Sequence, residues 1–292
     1  MTLNGSIFTA LLTPFNDDKS LNLKGIAPLV DYILSKGVHG IYAGGSTGEC
    51  ILQSREERAD HLVALAEYAR GRCELIAHVG AGSTADAVAL ANTAREQGFN
   101  AVSAIPPYYY KHRFQDIQAY YSAIADAAEL PVIIYNIPVL TGTDLSTAKL
   151  LELLTDQRIS GAKFTAQDLF QFDQLRKSAP NKKFYFGTDE MFLGAAAMGT
   201  DGGIGSTYNL IGDVYVGIEA AVGDGDIETA RQLQGKANEL IAILLETGVM
   251  PGLKYAMNKI GIPVGPCREP FSALGGPGTD RLNAWLQSNG YL

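Results

Sequence analysis

The sequence predicts an α/β protein: one closed (β/α)8 barrel of the TIM type, followed by a three-helix extension. Three observations carry that expectation. Eight short apolar runs recur through the chain, amphipathic stretches of helical period separate them, and no Pro- or Ser-rich linker or change of composition divides the sequence. Strands alternating with helices of ~10–15 residues build βαβ units with parallel pairing. Eight such units close into a barrel rather than an open sheet. The 292 residues are therefore read as a barrel over 1–223 and a helical extension over 224–292, not as two domains of ~150 residues each.

The elements follow in order. The predicted strands are Ile7–Thr13, Gly40–Ala43, Glu74–Val79, Ala101–Ile105, Val132–Asn136, Ile159–Thr165, Lys183–Thr188 and Gly202–Ser206. Between them, Arg55–Arg70, Thr84–Gln97 and Phe114–Ala127 carry apolar residues at helical spacing. After the eighth strand only helical patterns remain: Ile211–Val222 closes the barrel, and Ile227–Glu246, Leu253–Ile260 and Asp280–Gln287 form the extension.

Composition narrows the function class. A formal charge of −8 and a pI near 5.0 argue against a general binder of nucleic acid or anionic membrane. The 3 cysteines, Cys50, Cys73 and Cys267, fit neither a disulfide set nor a zinc motif. The N-terminal residues lack a basic region followed by an apolar run, and no apolar stretch reaches ~18 residues without a charge or break. The expectation is a soluble, cytoplasmic protein. Glycine is in excess, 32 of 292 residues, which asks for tight turns or backbone close to a ligand.

In a barrel of this kind, chemistry sits where the strands end. Near the end of the sixth strand, alternation puts Gly161, Lys163 and Thr165 on one face and Ala162 and Phe164 on the other. With Phe164 packed outward, Lys163 points into the barrel. Burial disfavours the charged form of a lysine, and the neutral amine attacks carbonyls to form Schiff bases. A lysine reaching from the strand end to water, or held in an ion pair, is the structural alternative. Tyr135 ends the fifth strand and can point inward beside Lys163, or serve only as an amphipathic wall residue.

Gly44-Gly-Ser-Thr-Gly-Glu49 follows the second strand. Its glycines and hydroxyls expose donors to an anion, and with no Lys or Arg inside the loop a carboxylate fits better than a triphosphate. A plain turn is the other possibility. Gly80-Ala-Gly82 is a near miss to a dinucleotide fingerprint without its acidic partner, so NAD is rejected. Pro106-Pro-Tyr-Tyr-Tyr110 places three exposed tyrosines on a stiff loop, suited to a subunit interface or to the site. Gly187-Thr-Asp-Glu190 and Gly202-Gly-Ile-Gly-Ser206 bring Asp189, Glu190 and Ser206 to the mouth, where they can hydrogen-bond a polyol, although Asp189 could simply cap a helix. The histidines His39, His61, His78 and His112 show no ligand spacing, and His61 is expected to face solvent on its helix. No motif supports a bound metal.

Taken together, Gly44-Gly-Ser-Thr-Gly-Glu49, Pro107-Tyr-Tyr109, Tyr135-Asn-Ile-Pro138, Lys163 and Gly202-Gly-Ile-Gly-Ser-Thr207 resemble the dihydrodipicolinate synthase / N-acetylneuraminate lyase family, over essentially the whole chain. Tyr135-Asn-Ile-Pro-Val-Leu-Thr-Gly142 and Gly187-Thr-Asp-Glu190 are similar to the lyase branch. The synthases carry an Arg where Leu140 stands. Phe164-Thr-Ala-Gln167 departs from members with a polar residue and a glycine there, which bears on the shape of the sugar pocket.

The resemblance implies a class I aldolase that cleaves N-acetylneuraminate to pyruvate and N-acetylmannosamine without metal or organic cofactor. It implies Lys163 as Schiff-base lysine, Tyr135 as proton carrier, and Tyr109 with Thr47 as a relay. Tyr109 could serve its own chain's site or a neighbour's. Ser46 and Thr47 would hold the pyruvate carboxylate, and Thr165, Gly187, Asp189, Glu190 and Ser206 the sugar chain. A homotetramer is the assembly implied. Other pyruvate aldolases of the scaffold, such as a 2-keto-3-deoxy sugar-acid aldolase or dihydrodipicolinate synthase, and a non-catalytic sensor of pyruvate or sialic acid are the alternatives. A pure binder needs neither Lys163 nor Tyr135.

Overall fold

The computed structural model describes residues 3–292; Met1 and Thr2, the start of the segment read as lacking a signal sequence, lie outside them. Eight parallel strands close in sequence order into a barrel: β1 Ile7–Ala10, β2 Gly40–Ala43, β3 Glu74–His78, β4 Ala101–Ala104, β5 Val132–Asn136, β6 Ile159–Phe164, β7 Lys183–Phe186 and β8 Gly202–Gly205. Helices α1 Ile26–Ser35, α2 Arg55–Ala69, α3 Thr84–Glu96 and α4 Phe114–Ala128 follow the first four strands. After β5 come the short α5 Pro138–Thr141 and then α6 Thr147–Leu153. Next are α7 Leu169–Ser178, α8 Phe192–Ala197 and α9 Tyr208–Gly223, and then α10 Ile227–Thr247, α11 Val249–Lys259 and α12 Pro277–Ser288.

Strand alternation builds two apolar layers. Phe8, Tyr42, Ile76, Ile133, Tyr185 and Ile204 fill the barrel interior. Their strand neighbours Ile41, Leu75, Ile134, Ala162 and Phe164 pack outward against the helices. The seam between β1 and β8 pairs Phe8 with Ile204. Gly202 at φ 147° lets the seam form, because a Cβ there would lie 1.8 Å from the Ser6 carbonyl oxygen. Asn209, fully buried, ties the seam to the mouth: its amide donates to the Ala10 carbonyl (2.7 Å) and its carbonyl accepts from the Leu12 N–H (3.1 Å).

Strand positions match the expectation, with the last one or two residues of several runs curling into the mouth loops. The C-terminal helices start earlier than periodicity suggests. α11 begins at Val249, ahead of Pro251, and α12 begins at Pro277. Proline in a first turn costs no hydrogen bond, since N–H groups there have no intrahelical acceptor. The Pro138–Thr141 segment after β5 is one helical turn.

Two expectations are corrected. His61 does not face solvent: it is 1% exposed. It lies on the inner stripe of α2 with Arg58, Leu62, Leu65 and Ala69. Burial, with Lys254 nearby, pulls its pKa down to about 4. Of the three tyrosines expected to be exposed, Tyr108 is half-buried and lines an apolar cavity. No single helix among the described residues is long and apolar enough to cross a membrane.

Candidate active site

Lys163 enters the barrel because β6 alternates. Phe164 points out to the helix layer, and Lys163 is left inside, 3% exposed. Its Nζ lies 4.1 Å from the Tyr135 ring centroid and 4.5 Å from that of Tyr42, against two aromatic faces rather than in an ion pair. Tyr135 is its register partner on β5, and Tyr185 its partner on β7. Space for the lysine comes from Gly187: a Cβ there would stand 2.0 Å from Thr165 Oγ1 and 3.0 Å from Lys163 Cε. The Thr165 hydroxyl is buried with no protein partner, a donor left for a ligand.

The floor of the site is a polar, hydrogen-bonded layer in which the Tyr185 hydroxyl and Arg58 Nε are left without a partner among the described residues. Tyr42 donates to Ser103 Oγ (3.1 Å), which donates to the Ile133 carbonyl (2.9 Å). Burial and the neighbouring Tyr135 push the Tyr42 phenol well above its usual range, so it keeps its proton. His78 lies edge-on to Tyr135, with ring centroids 5.9 Å apart. Burial, and then the Arg58 cation, hold its pKa far down. The neutral ring donates from Nδ1 to the Gly44 carbonyl (2.8 Å). Arg58 itself is buried and donates to the carbonyls of Gly80 (3.0 Å) and His78 (2.9 Å), bracing the end of β3 and the loop that leaves it. Arg58 occupies the position where the apolar stripe of α2 would continue, which is the signal for it in the sequence. Tyr42 and His78 are legible the same way, from alternation on β2 and β3.

After β2 the chain forms a 3-10 turn over Ser46–Gly48, entered through Gly45. A turn of this kind leaves its first N–H groups, those of Ser46 and Thr47, without intrahelical acceptors. Two adjacent free N–H groups of this kind are donors that an anion can use. The Thr47 and Ser206 hydroxyls are 2.7 Å apart, joining this loop to the end of β8. No hydrogen bond joins Thr47 to Tyr135 among the described residues, so this half of the expected relay is not formed here. Tyr109 is 87% exposed at φ 78°, its ring against Tyr110 (5.0 Å) rather than Tyr135.

On the opposite side, Asp189 follows β7 in a short 3-10 turn and is buried. It does not cap that turn: Thr188 holds the cap position, and the Asp189 carboxylate accepts from the Thr207 N–H (2.9 Å) and hydroxyl (2.7 Å). Tyr215 in turn lies 2.8 Å from Thr207 Oγ1. Burial raises the Asp189 pKa to about 6 against the two Thr207 hydrogen bonds. A cavity of about 420 Å³ lies beside it, lined by Val139, Thr165, Gln167, Gly187, Thr188 and Glu190. A second, apolar cavity of about 360 Å³ has Ser46, Tyr108, Ile137, Leu140 and Phe271 in its wall. Thus Lys163, Tyr135, Thr165 and Gly187 come together at the mouth, Glu190 borders the polar cavity with Asp189 buried behind it against Thr207, and Ser46, Thr47 and Ser206 form the other rim.

Comparison with known proteins agrees with this geometry. The N-acetylneuraminate lyase of Rhizobium meliloti is 45% identical over 271 residues, 93% of this chain and 90% of its own. A Clostridium difficile protein crystallised in complex with mannosamine superposes with a TM-score of 0.95 at 34% identity, covering 98% of this chain and 99% of that one. The N-acetylneuraminate lyase of Fusobacterium nucleatum complexed with pyruvate gives 0.92 at 33% identity, over 97% and 96%. Residues 3–289 match the dihydrodipicolinate synthetase family. By that match over nearly the whole chain, and by its likeness to these relatives, the chain belongs to that family.

Proposed function

We propose that the protein is a Schiff-base aldolase that splits N-acetylneuraminate into pyruvate and N-acetylmannosamine and joins them in reverse. The observation that carries this is the Lys163 amine buried against the face of its register partner Tyr135. The Lys163 nitrogen attacks the C2 ketone of the open-chain sugar acid, and loss of water leaves an iminium. The iminium draws in the electrons of the C3–C4 bond as that bond breaks. The C4 hydroxyl proton passes to the Tyr135 oxygen as the phenol hands its own proton on to a relay hydroxyl or water, the C4 carbonyl departs as N-acetylmannosamine, and an enamine remains on the lysine. Protonation at C3 and hydrolysis release pyruvate and restore the amine. A phenol is a weak base near neutrality, so its proton must be shared through a relay. Lys163 supplies the electron sink itself, and the step is written without a metal or organic cofactor.

The turn at Ser46 and Thr47 suits the carboxylate at C1. Thr165, Gly187, Asp189, Glu190 and Ser206 suit the hydroxylated chain beyond C4, with the orphaned Thr165 hydroxyl as the first donor. The synthase alternative needs a cation at position 140 for a second carboxylate, and Leu140 provides none. Tyr109, turned outward with Tyr110, fits the relay of a neighbouring subunit in a homotetramer. Pyruvate release from N-acetylneuraminate, measured beside 2-keto-3-deoxygluconate and beside condensation of pyruvate with aspartate semialdehyde, tests the assignment. The sialic acid should give the largest kcat/KM by at least tenfold. A larger value for either other substrate would reassign the chain within the family.

A further inference from the structure

Glu49 ends the anion-binding loop, yet its side chain turns away from the substrate cavities into the protein. Its backbone is left-handed, φ 58° and ψ 36°, a conformation uncommon for a residue with a side chain. Its N–H bonds the Ser46 carbonyl (3.0 Å), so Glu49 closes the turn that presents the Ser46 and Thr47 N–H groups. Its carboxylate is fully buried. Oε1 lies 2.7 Å from Lys254 Nζ of α11, and Oε2 accepts the Arg268 N–H at 2.9 Å.

Among the described residues, Glu49 is the one carboxylate with which Lys254 forms an ion pair. It donates to the Pro266 carbonyl (2.9 Å) and lies over the Phe15 ring at 4.2 Å. The Arg268 guanidinium grips the segment just downstream, through the Leu52 carbonyl (2.8 Å) and the Glu57 carboxylate. Burial lowers the Lys254 pKa, and Glu49 opposes that pull.

We infer that Lys254 is a positioning residue for the reaction: by holding Glu49 it fixes the Ser46–Thr47 turn in the geometry that receives the pyruvate carboxylate. A purely stabilising role is a poorer account, because well-packed apolar residues stabilise an interior at least as well as a buried ion pair. What a charged pair adds is direction. Here it acts on the one residue whose unusual backbone shapes the turn, and it comes from a helix outside the barrel's βα units. The contact involves no group that touches the reacting atoms.

The inference rests on the aldolase function proposed above, and its test separates the two. Wild-type protein is incubated with graded pyruvate and borohydride, and the pyruvate concentration for half-maximal modification of Lys163 is read by mass spectrometry. KM values for pyruvate and N-acetylmannosamine are measured in the condensation direction. No modification of the wild type would defeat the aldolase assignment itself. With the wild type modified, Lys254→Met should raise the half-saturating pyruvate at least tenfold and leave the N-acetylmannosamine KM within twofold, and Lys254→Arg should recover most of the loss. If Lys254→Met does not fold, Glu49→Gln takes its place, with a threefold or larger rise in the same quantity. An unchanged pyruvate dependence in either folded variant, or equal rises for both substrates, would overturn the inference.

Discussion

Around Lys163 the surroundings are aromatic rather than ionic, and that sets what each neighbour can do. Tyr135 and Tyr42 both face the amine, but Tyr42 is tied to Ser103 at 3.1 Å, which leaves Tyr135 as the phenol for proton transfer. Tyr135→Phe should lower kcat by about 10²-fold or more, the usual contribution of a positioned acid–base group. Lys163 should still be trapped by pyruvate and borohydride, and near-normal turnover in this variant would remove Tyr135 from the mechanism. Asp189 gives a second test through its proton. Its folded pKa, about 6, lies above the ordinary 3.8. Between those values the native state holds more proton than the unfolded chain, so this group's contribution to stability falls as pH rises through the window. Asp189→Asn has no charge to bury. Its stability relative to wild type should improve by about 2 kcal/mol between pH 4 and pH 7, most of a shift of roughly two pK units at 1.36 kcal/mol each. Urea denaturation across that range checks this, and a gap that does not vary with pH would contradict it.

At the scale of elements, the mouth loops are braced from behind. Gln234 of α10 donates to the Asp189 carbonyl (3.1 Å) and accepts from the Leu193 N–H (2.9 Å), which holds the loop after β7 as Lys254 holds the loop after β2. Gln234→Leu should raise the KM for N-acetylmannosamine severalfold with little change in that for pyruvate. The opposite pattern in steady-state kinetics would show that this contact does not serve the sugar side. The barrel strands were legible because short apolar runs, buried on both faces and separated by stretches of helical period, have few other solutions. Lys163 and Tyr135 followed from strand alternation. Glu49 with Lys254, and Asp189 with Thr207, were not legible. Each joins residues far apart in sequence, and a Lys or Glu on an amphipathic stretch reads as solvated until its partner is known. His61 was misplaced for a related reason: a lone histidine on a charged helix reads as surface, and only the packing of α2 on the barrel shows that its face turns inward.

For the whole molecule, the glycine excess has a local meaning. Gly187 opens the space that Lys163 occupies, and Gly202 permits the closing seam. The charge of −8 has no counterpart in the cluster behind the loop after β2, where the buried pair Glu49–Lys254 and the partly exposed pair Glu57–Arg268 each set one anion against one cation. The central claim is that Lys163 forms the covalent intermediate. Reduction of the protein with borohydride in the presence of pyruvate, followed by peptide mass spectrometry, tests it most directly. One pyruvate-derived adduct is expected, on Lys163, with activity lost in proportion. Full activity with Lys163 unmodified, or an adduct confined to another lysine, would contradict it.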